Sequence, residues 1–133
     1  MNENIGIYKI IAPSGKIYIG QSANLSARVF SYKNYPHKSF KNGLIGEYYE
    51  NNCQVEKFNF EIICNCLEHE LNPLEYYFIN LFESTNPNKG FNISKGGNSR
   101  KNRGQINDEL LAEIDIIYGK PYLSKKTIQL SLL

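Results

Sequence analysis

The chain has 133 residues, 41% of them hydrophobic and 13% aromatic, which predicts one folded domain with a short appendage and excludes a disordered chain. No run of about 18 apolar residues is present and the amino terminus lacks a signal-peptide pattern, so we expect no contact with a membrane and a cytoplasmic location. The three cysteines are an odd number without clustered histidines. They predict reduced thiols in a reducing compartment, with neither a disulfide nor a zinc site.

Two stretches of the chain are basic, although the net charge is only +2. Residues 1–43 carry six lysines and arginines against one acid, and residues 89–105 carry five with no acid. Such clustering suits a polyanionic partner, while either stretch alone is equally explained as solvated charge on a small domain. The cations that we expect at such an interface are Lys16, Lys33, Lys38, Lys95, Arg100, Lys101 and Arg103.

The first predicted element is a β-hairpin. Residues 5–11 and 16–20 are rich in β-branched and aromatic side chains, and Pro13-Ser14-Gly15 lies between them. If Ala12 pairs with Lys16, the loop has three residues, and Gly15 falls where such loops need a left-handed backbone.

This register sets which hairpin side chains lie together. It places Tyr8 opposite Gly20 and Ile10 opposite Tyr18. Because side chains alternate along each strand, Tyr8 and Tyr18 then share one face. Two phenols beside glycines make a place that another backbone can approach closely.

Further elements follow in chain order: a helix over 24–32, a loop over 33–39, a helix over 39–49, a strand over 57–66, a buried helix opened by Asn72-Pro73, and a brief strand over 91–93. This mixture predicts an α+β domain over residues 1–95. Residues 96–105 contain no apolar side chain and predict a basic linker. Residues 106–133 predict a short helical appendage, interpreted as a helix-turn-helix-like reader of DNA, as a remnant or as an added packing helix.

The helix after Asn72 contains an unexpected acid. Glu75 interrupts the most apolar helix of the chain, and residues 1–95 contain no aspartate. A buried carboxylate needs a hydrogen-bonding partner, a cation or a raised pKa. One interpretation is a capping box, in which Glu75 reaches back to the amide of Asn72. The other is a metal ligand.

An ordered set of motifs adds to these observations. Gly6-Ile7-Tyr8 is followed by Tyr18-Ile19-Gly20, then by Arg28 on a helix, by Glu75 and by a Gly-Phe-Asn turn. Over residues 4–95 this set resembles the GIY-YIG nuclease family, whose fold is a small three-stranded, mainly antiparallel sheet flanked by helices. The resemblance implies a DNA endonuclease of the homing, mobile-element or phage type, with one Mg²⁺ or Mn²⁺ per active site.

Carried over position by position, the resemblance implies a catalytic set of Tyr8, Tyr18, Arg28, Tyr32, His37, Glu75 and Asn92. Glu75 would bind the metal and Arg28 the phosphate. Tyr8 would accept a proton from the attacking water or only orient it. Gln21 replaces a lysine that some members carry, which leaves the general base open.

Each residue of this set also has an ordinary interpretation. Tyr8 and Tyr18 are then sheet aromatics, Arg28 is a surface partner of a carboxylate, and Tyr32 is a packing residue. His37 is then a solvated loop residue, and Asn92 caps the backbone of its own turn. For the whole chain, two alternatives remain beside the active endonuclease: a non-catalytic nucleic-acid-binding module, and a repair or junction nuclease that needs a partner subunit. A single site cuts one strand, so a duplex break requires a transient homodimer or two separate events.

Overall fold

A computed structural model describes residues 3–94 and 126–129 of the chain. The strands are β1 (Gly6–Ile11), β2 (Ile17–Ser22), β3 (Asn59–Asn65) and β4 (Lys126–Gln129). The helices are α1 (Leu25–Asn34), α2 (Pro36–Ser39), α3 (Gly43–Glu50) and α4 (Leu71–Phe82), with short 3₁₀ turns at Val55–Lys57 and Glu68–Glu70. The predicted α+β class is confirmed.

The strands form one antiparallel sheet in the order β2-β1-β3-β4. The three-stranded sheet expected from the sequence is confirmed in β2-β1-β3. The expected helix over the last residues is wrong at Lys126–Gln129, which form β4 and pair with β3. The physical reason is that β4 supplies partners to the backbone of β3, which would otherwise be an open edge. The linker and the rest of the predicted appendage lie outside the described residues, as do Lys95, Arg100, Lys101 and Arg103.

The β1–β2 hairpin has the predicted register. The amide of Ala12 donates to the carbonyl of Lys16 at 3.0 Å, and Gly15 has a φ of 91°. Tyr8 lies opposite Gly20, and Ile10 lies opposite Tyr18. The shared face of the two tyrosines therefore follows from the loop, as expected.

The sheet buries both of its faces. On one face, Tyr8 and Ile10 pack with Phe58, Phe60 and Ile62 of the β3 region and with side chains of α1 and α3. On the other face, Ile7, Ile19 and Ile63 pack against α4. Complete burial of one such side chain contributes about 1.5–3 kcal/mol, so the two apolar layers hold α1 and α4 against opposite faces of the sheet.

The helix boundaries differ from those predicted between residues 32 and 43. Helix α1 begins one residue later than predicted, after its cap Asn24, whose side chain accepts from the amide of Ala27, and it continues to Asn34. The expected loop contains α2, and α3 begins at Gly43 rather than after Ser39. Ser39 does not cap α3 because its hydroxyl donates to the carbonyl of Ser31 at 2.9 Å.

Two of the three cysteines are buried. Cys53, Cys64 and Cys66 are free thiols. Burial raises the pKa of both Cys64 and Cys66 to about 12, so neither forms a thiolate readily. Within residues 3–94 and 126–129, every helix is too short or too polar to cross a bilayer.

Candidate functional site

The site begins where the ring of Tyr8 crosses Gly20 of the neighbouring strand. A Cβ at Gly20 would lie 2.4 Å from both Cζ and Oη of Tyr8, closer than atoms can approach. Only glycine therefore leaves room for the ring in this position. The ring stacks on Phe60 with centroids 4.7 Å apart, and the Tyr8 side chain is completely buried.

The Tyr8 hydroxyl is held by two side chains of α1. The hydroxyl oxygens of Tyr8 and Tyr32 lie 2.8 Å apart and share a hydrogen bond. Nη1 of Arg28 donates to the Tyr8 hydroxyl at 3.4 Å. Arg28 and Tyr32 reach the same place because residues four apart share a helix face. Tyr32 is buried, whereas Arg28 is exposed at the surface of the cluster.

Burial dominates the titration of these phenols. It raises the pKa of Tyr8 well above the ordinary value of 10.0; Tyr32 and Tyr18 raise it further, and the charge of Arg28 acts in the opposite direction. Burial also raises the pKa of Tyr32. Both phenols are therefore protonated at neutral pH. Of the two expected roles of Tyr8, this favours orientation of the attacking water over acceptance of its proton.

Tyr18 and Glu75 bring two further elements to the cluster. Burial raises the pKa of Tyr18 to about 12, and Tyr32 and the carboxylate of Glu75 contribute in the same direction. Glu75 lies on α4 and is 8% exposed. The structure thus brings together three phenol hydroxyls, one guanidinium and one carboxylate. They belong to Tyr8 on β1, Tyr18 on β2, Arg28 and Tyr32 on α1, and Glu75 on α4.

The capping-box interpretation of Glu75 is wrong. Helix α4 begins at Leu71, after a 3₁₀ turn, so Asn72 and Glu75 are its second and fifth residues. The acid that caps this helical segment is Glu70, whose Oε1 accepts from the amide of Leu67 at 2.8 Å.

Asn72 has a different partner. Nε2 of Gln21 donates to Oδ1 of Asn72 at 2.7 Å, which joins β2 to the first turn of α4. This bond positions Glu75, one turn farther along, relative to Tyr18 on β2. Nothing local in the sequence marks this role of Gln21, because its partner lies 51 residues away.

Asn92 forms a bridge to the same strand. The amide of Ile19 donates to Oδ1 of Asn92 at 2.9 Å, and Nδ2 of Asn92 donates to the carbonyl of Ile19 at 3.0 Å. The carboxamide takes the place of a neighbouring strand along the outer edge of β2. Since both of its ends bond to the backbone of Ile19, Asn92 holds β2 and the neighbouring Tyr18 in position.

His37 lies apart from the tyrosine cluster. Its ring packs against Tyr48 and Tyr49 of α3, and Nδ1 lies 3.3 Å from the Tyr49 hydroxyl. No hydrogen bond or ring contact links it to Tyr8 or Tyr32 in the described part of the chain. The expected catalytic histidine is therefore an exposed residue of the α2–α3 surface. The physical reason is that α2 turns this part of the chain towards α3.

The donor set of the cluster suits an anion and a hard cation side by side. A guanidinium next to hydroxyl groups binds phosphate oxygens, and a carboxylate binds Mg²⁺, which keeps several waters and needs few protein ligands. Residues 3–94 and 126–129 contain no group of three or more His, Cys, Asp or Glu side chains placed to hold a metal. A metal at the cluster would therefore rely on Glu75 as its acidic ligand.

No family model, no curated protein and no solved structure matches this chain.

The position of Tyr8 can be tested at Gly20. Gly20→Ala is expected to lower the free energy of unfolding by about 1–3 kcal/mol, because the added methyl overlaps a buried ring that is stacked on Phe60. Thermal unfolding followed by circular dichroism measures this loss.

Gly46→Ala is the matched control. Gly46 lies within α3, and a Cβ there meets no atom within 4 Å. Alanine is the better helix former, so this variant is expected to gain about 0.5–1 kcal/mol. Equal melting temperatures of Gly20→Ala and the parent protein would contradict the assignment of Gly20 as the space for Tyr8.

Proposed function

We propose that this chain is a metal-dependent DNA endonuclease of the GIY-YIG type, which hydrolyses one phosphodiester bond per event. The observation that carries the proposal is the junction of Arg28 with the hydroxyls of Tyr8 and Tyr32, beside a Tyr18 that interacts with the charge of Glu75. These residues come from four separate elements. A cation, three phenols and a buried carboxylate are what binding and activation of a phosphate require.

The site has an accessible layer and a buried layer. Arg28 is exposed and Tyr18 is partly exposed, so these two can contact the phosphate directly. Arg28 offers a planar fork to two non-bridging oxygens, and it neutralises the charge that grows on them during in-line attack. Tyr8 and Tyr32 lie beneath, where the Tyr8 oxygen accepts a hydrogen bond from the guanidinium. The hydroxyl hydrogen that the two phenols do not share between them would orient the attacking water.

Glu75 would hold the metal. Its helix turn is tied to β2 through Gln21 and Asn72, so the carboxylate stays at a constant distance from Tyr18. Bound Mg²⁺ or Mn²⁺ would neutralise phosphate charge and stabilise the leaving oxygen. Such a cation would offset part of the cost of burying a carboxylate in so apolar a helix.

Charge favours DNA as the polyanion. Residues 4–46 contain six lysines and arginines and no acid. Among them, Lys16, Lys33 and Lys38 lie in the described part of the chain and are partly or fully exposed. We assign the enzyme to the homing, mobile-element or phage type, with nicking by one chain and double-strand cleavage by a transient homodimer.

Supercoiled plasmid is the substrate for the test. We expect the purified chain to relax or linearise it in Mg²⁺ or Mn²⁺, and we expect EDTA to stop the reaction. Gel electrophoresis over time separates nicked from linear product. A folded protein that binds DNA and cuts none of a varied set of duplexes and junctions would contradict the enzyme and favour a binding module.

A further inference from the structure

Two aromatic rings are exposed next to each other at the end of α1. Phe30 is 58% exposed and Tyr35 is 54% exposed, and their centroids lie 6.1 Å apart at an interplanar angle of 56°. Phe30 lies on α1, and Tyr35 joins α1 to α2. Adjacent exposed rings are costly in water and mark a surface that a partner covers.

The surroundings of the rings are cationic. Lys33 follows Phe30 by three residues and shares its helix face. Lys38 lies on α2, and its amide donates to the carbonyl of Tyr35 at 3.1 Å. No acid occurs between residues 4 and 46. The surface of Phe30, Lys33, Tyr35 and Lys38, here called the ring platform, therefore fits an anionic partner with flat apolar faces.

Single-stranded DNA has both properties. Its bases stack on aromatic side chains while lysines neutralise its phosphates. A duplex keeps its base faces covered, so it would leave the rings exposed. A second copy of this chain would bring the same lysines together, and like charges repel.

The ring platform lies on the far side of α1 from the candidate site. Phe30 follows Arg28 by two residues, which is about 200° around the helix. A helix is about 10 Å across, so the path around half of its surface is about 16 Å, or about five nucleotide steps at 3.4 Å each. Resting on the proposed function, we infer that the ring platform stacks unpaired bases about five nucleotides from the cleaved bond. The enzyme would then prefer substrates with a single-stranded tail or opened strands at that place.

The test compares a blunt duplex with the same duplex carrying a short single-stranded tail. Fluorescence anisotropy in EDTA gives the affinity of the full-length chain without cleavage. The parent protein should bind the tailed DNA more tightly. Phe30→Leu and Tyr35→Leu keep an apolar side chain but lose the flat face, and each is expected to weaken tailed-DNA binding by about tenfold. Phe30→Trp should retain it, and blunt-duplex affinity should stay unchanged in all three.

Tyr49→Leu is the matched control, since Tyr49 is 55% exposed but packs beside His37 on α3. It should bind both DNAs as the parent does. Equal affinity of Phe30→Leu and the parent for tailed DNA would overturn the inference. So would a change of oligomeric state in that variant, because the rings would then cover another protein. Loss of cleavage by the parent is read separately on plasmid, so failure of the proposed function is distinguishable from failure of the ring platform.

Discussion

Glu75→Gln is expected to reduce cleavage of supercoiled DNA by about a thousandfold or more, with little change in stability. The amide keeps the size of the side chain but is a much poorer ligand for a hard dication than a carboxylate. DNA affinity in EDTA should hold or rise, because one negative charge near the phosphate is removed. Single-turnover cleavage, melting temperature and metal-free affinity together test the assignment.

Glu70→Gln provides the control on the same helical segment. Glu70 is the acid that caps it, and glutamine is accepted at that position of a capping box, so both stability and cleavage should stay close to those of the parent. A Glu75→Gln protein that folds, binds DNA and cuts at the parental rate would refute the metal-ligand assignment.

Arg28→Lys is expected to lower the cleavage rate by about a hundredfold to a thousandfold. Lysine keeps the charge but loses the planar fork, and a single ammonium cannot hold Tyr8, Tyr32 and a phosphate in the same geometry. Because charge is conserved, the affinity for DNA should change by much less than the rate. Single-turnover rates and anisotropy in EDTA separate the two effects.

Lys57→Gln is the matched control, because it removes a cation outside the candidate site. Lys57 is exposed in the 3₁₀ turn before β3. Its loss should leave the cleavage rate almost unchanged. If Arg28→Lys cuts as fast as Lys57→Gln while both remain folded, Arg28 contributes charge alone, and the proposed phosphate fork is incorrect.

Local sequence patterns were sufficient to predict the register of the hairpin and which side chains lie on each face of the sheet. The loop at Gly15 determines the pairing of Tyr8 with Gly20, because a three-residue turn allows one register. Alternation along β3 places Phe58, Phe60 and Ile62 on one face for the same kind of reason. The order of the glycine, tyrosine, arginine and glutamate motifs also sufficed to nominate five residues that the structure brings together.

Tertiary structure decided how those five residues are held. The bonds from Gln21 to Asn72 and from Asn92 to Ile19 span 51 and 73 positions, and no local periodicity encodes such pairs. The role of Glu75 depended on where α4 begins, which is Leu71, directly after the 3₁₀ turn that Glu70 caps. The sequence by itself determined β1, β2 and β3, their faces and the candidate residues, because these follow from alternation and turn chemistry, whereas β4 was predicted as a helix. Only the tertiary structure decided which side chains of Gln21, Asn72 and Asn92 join distant elements, and that His37 packs against α3. Those outcomes depend on contacts between elements distant in the chain.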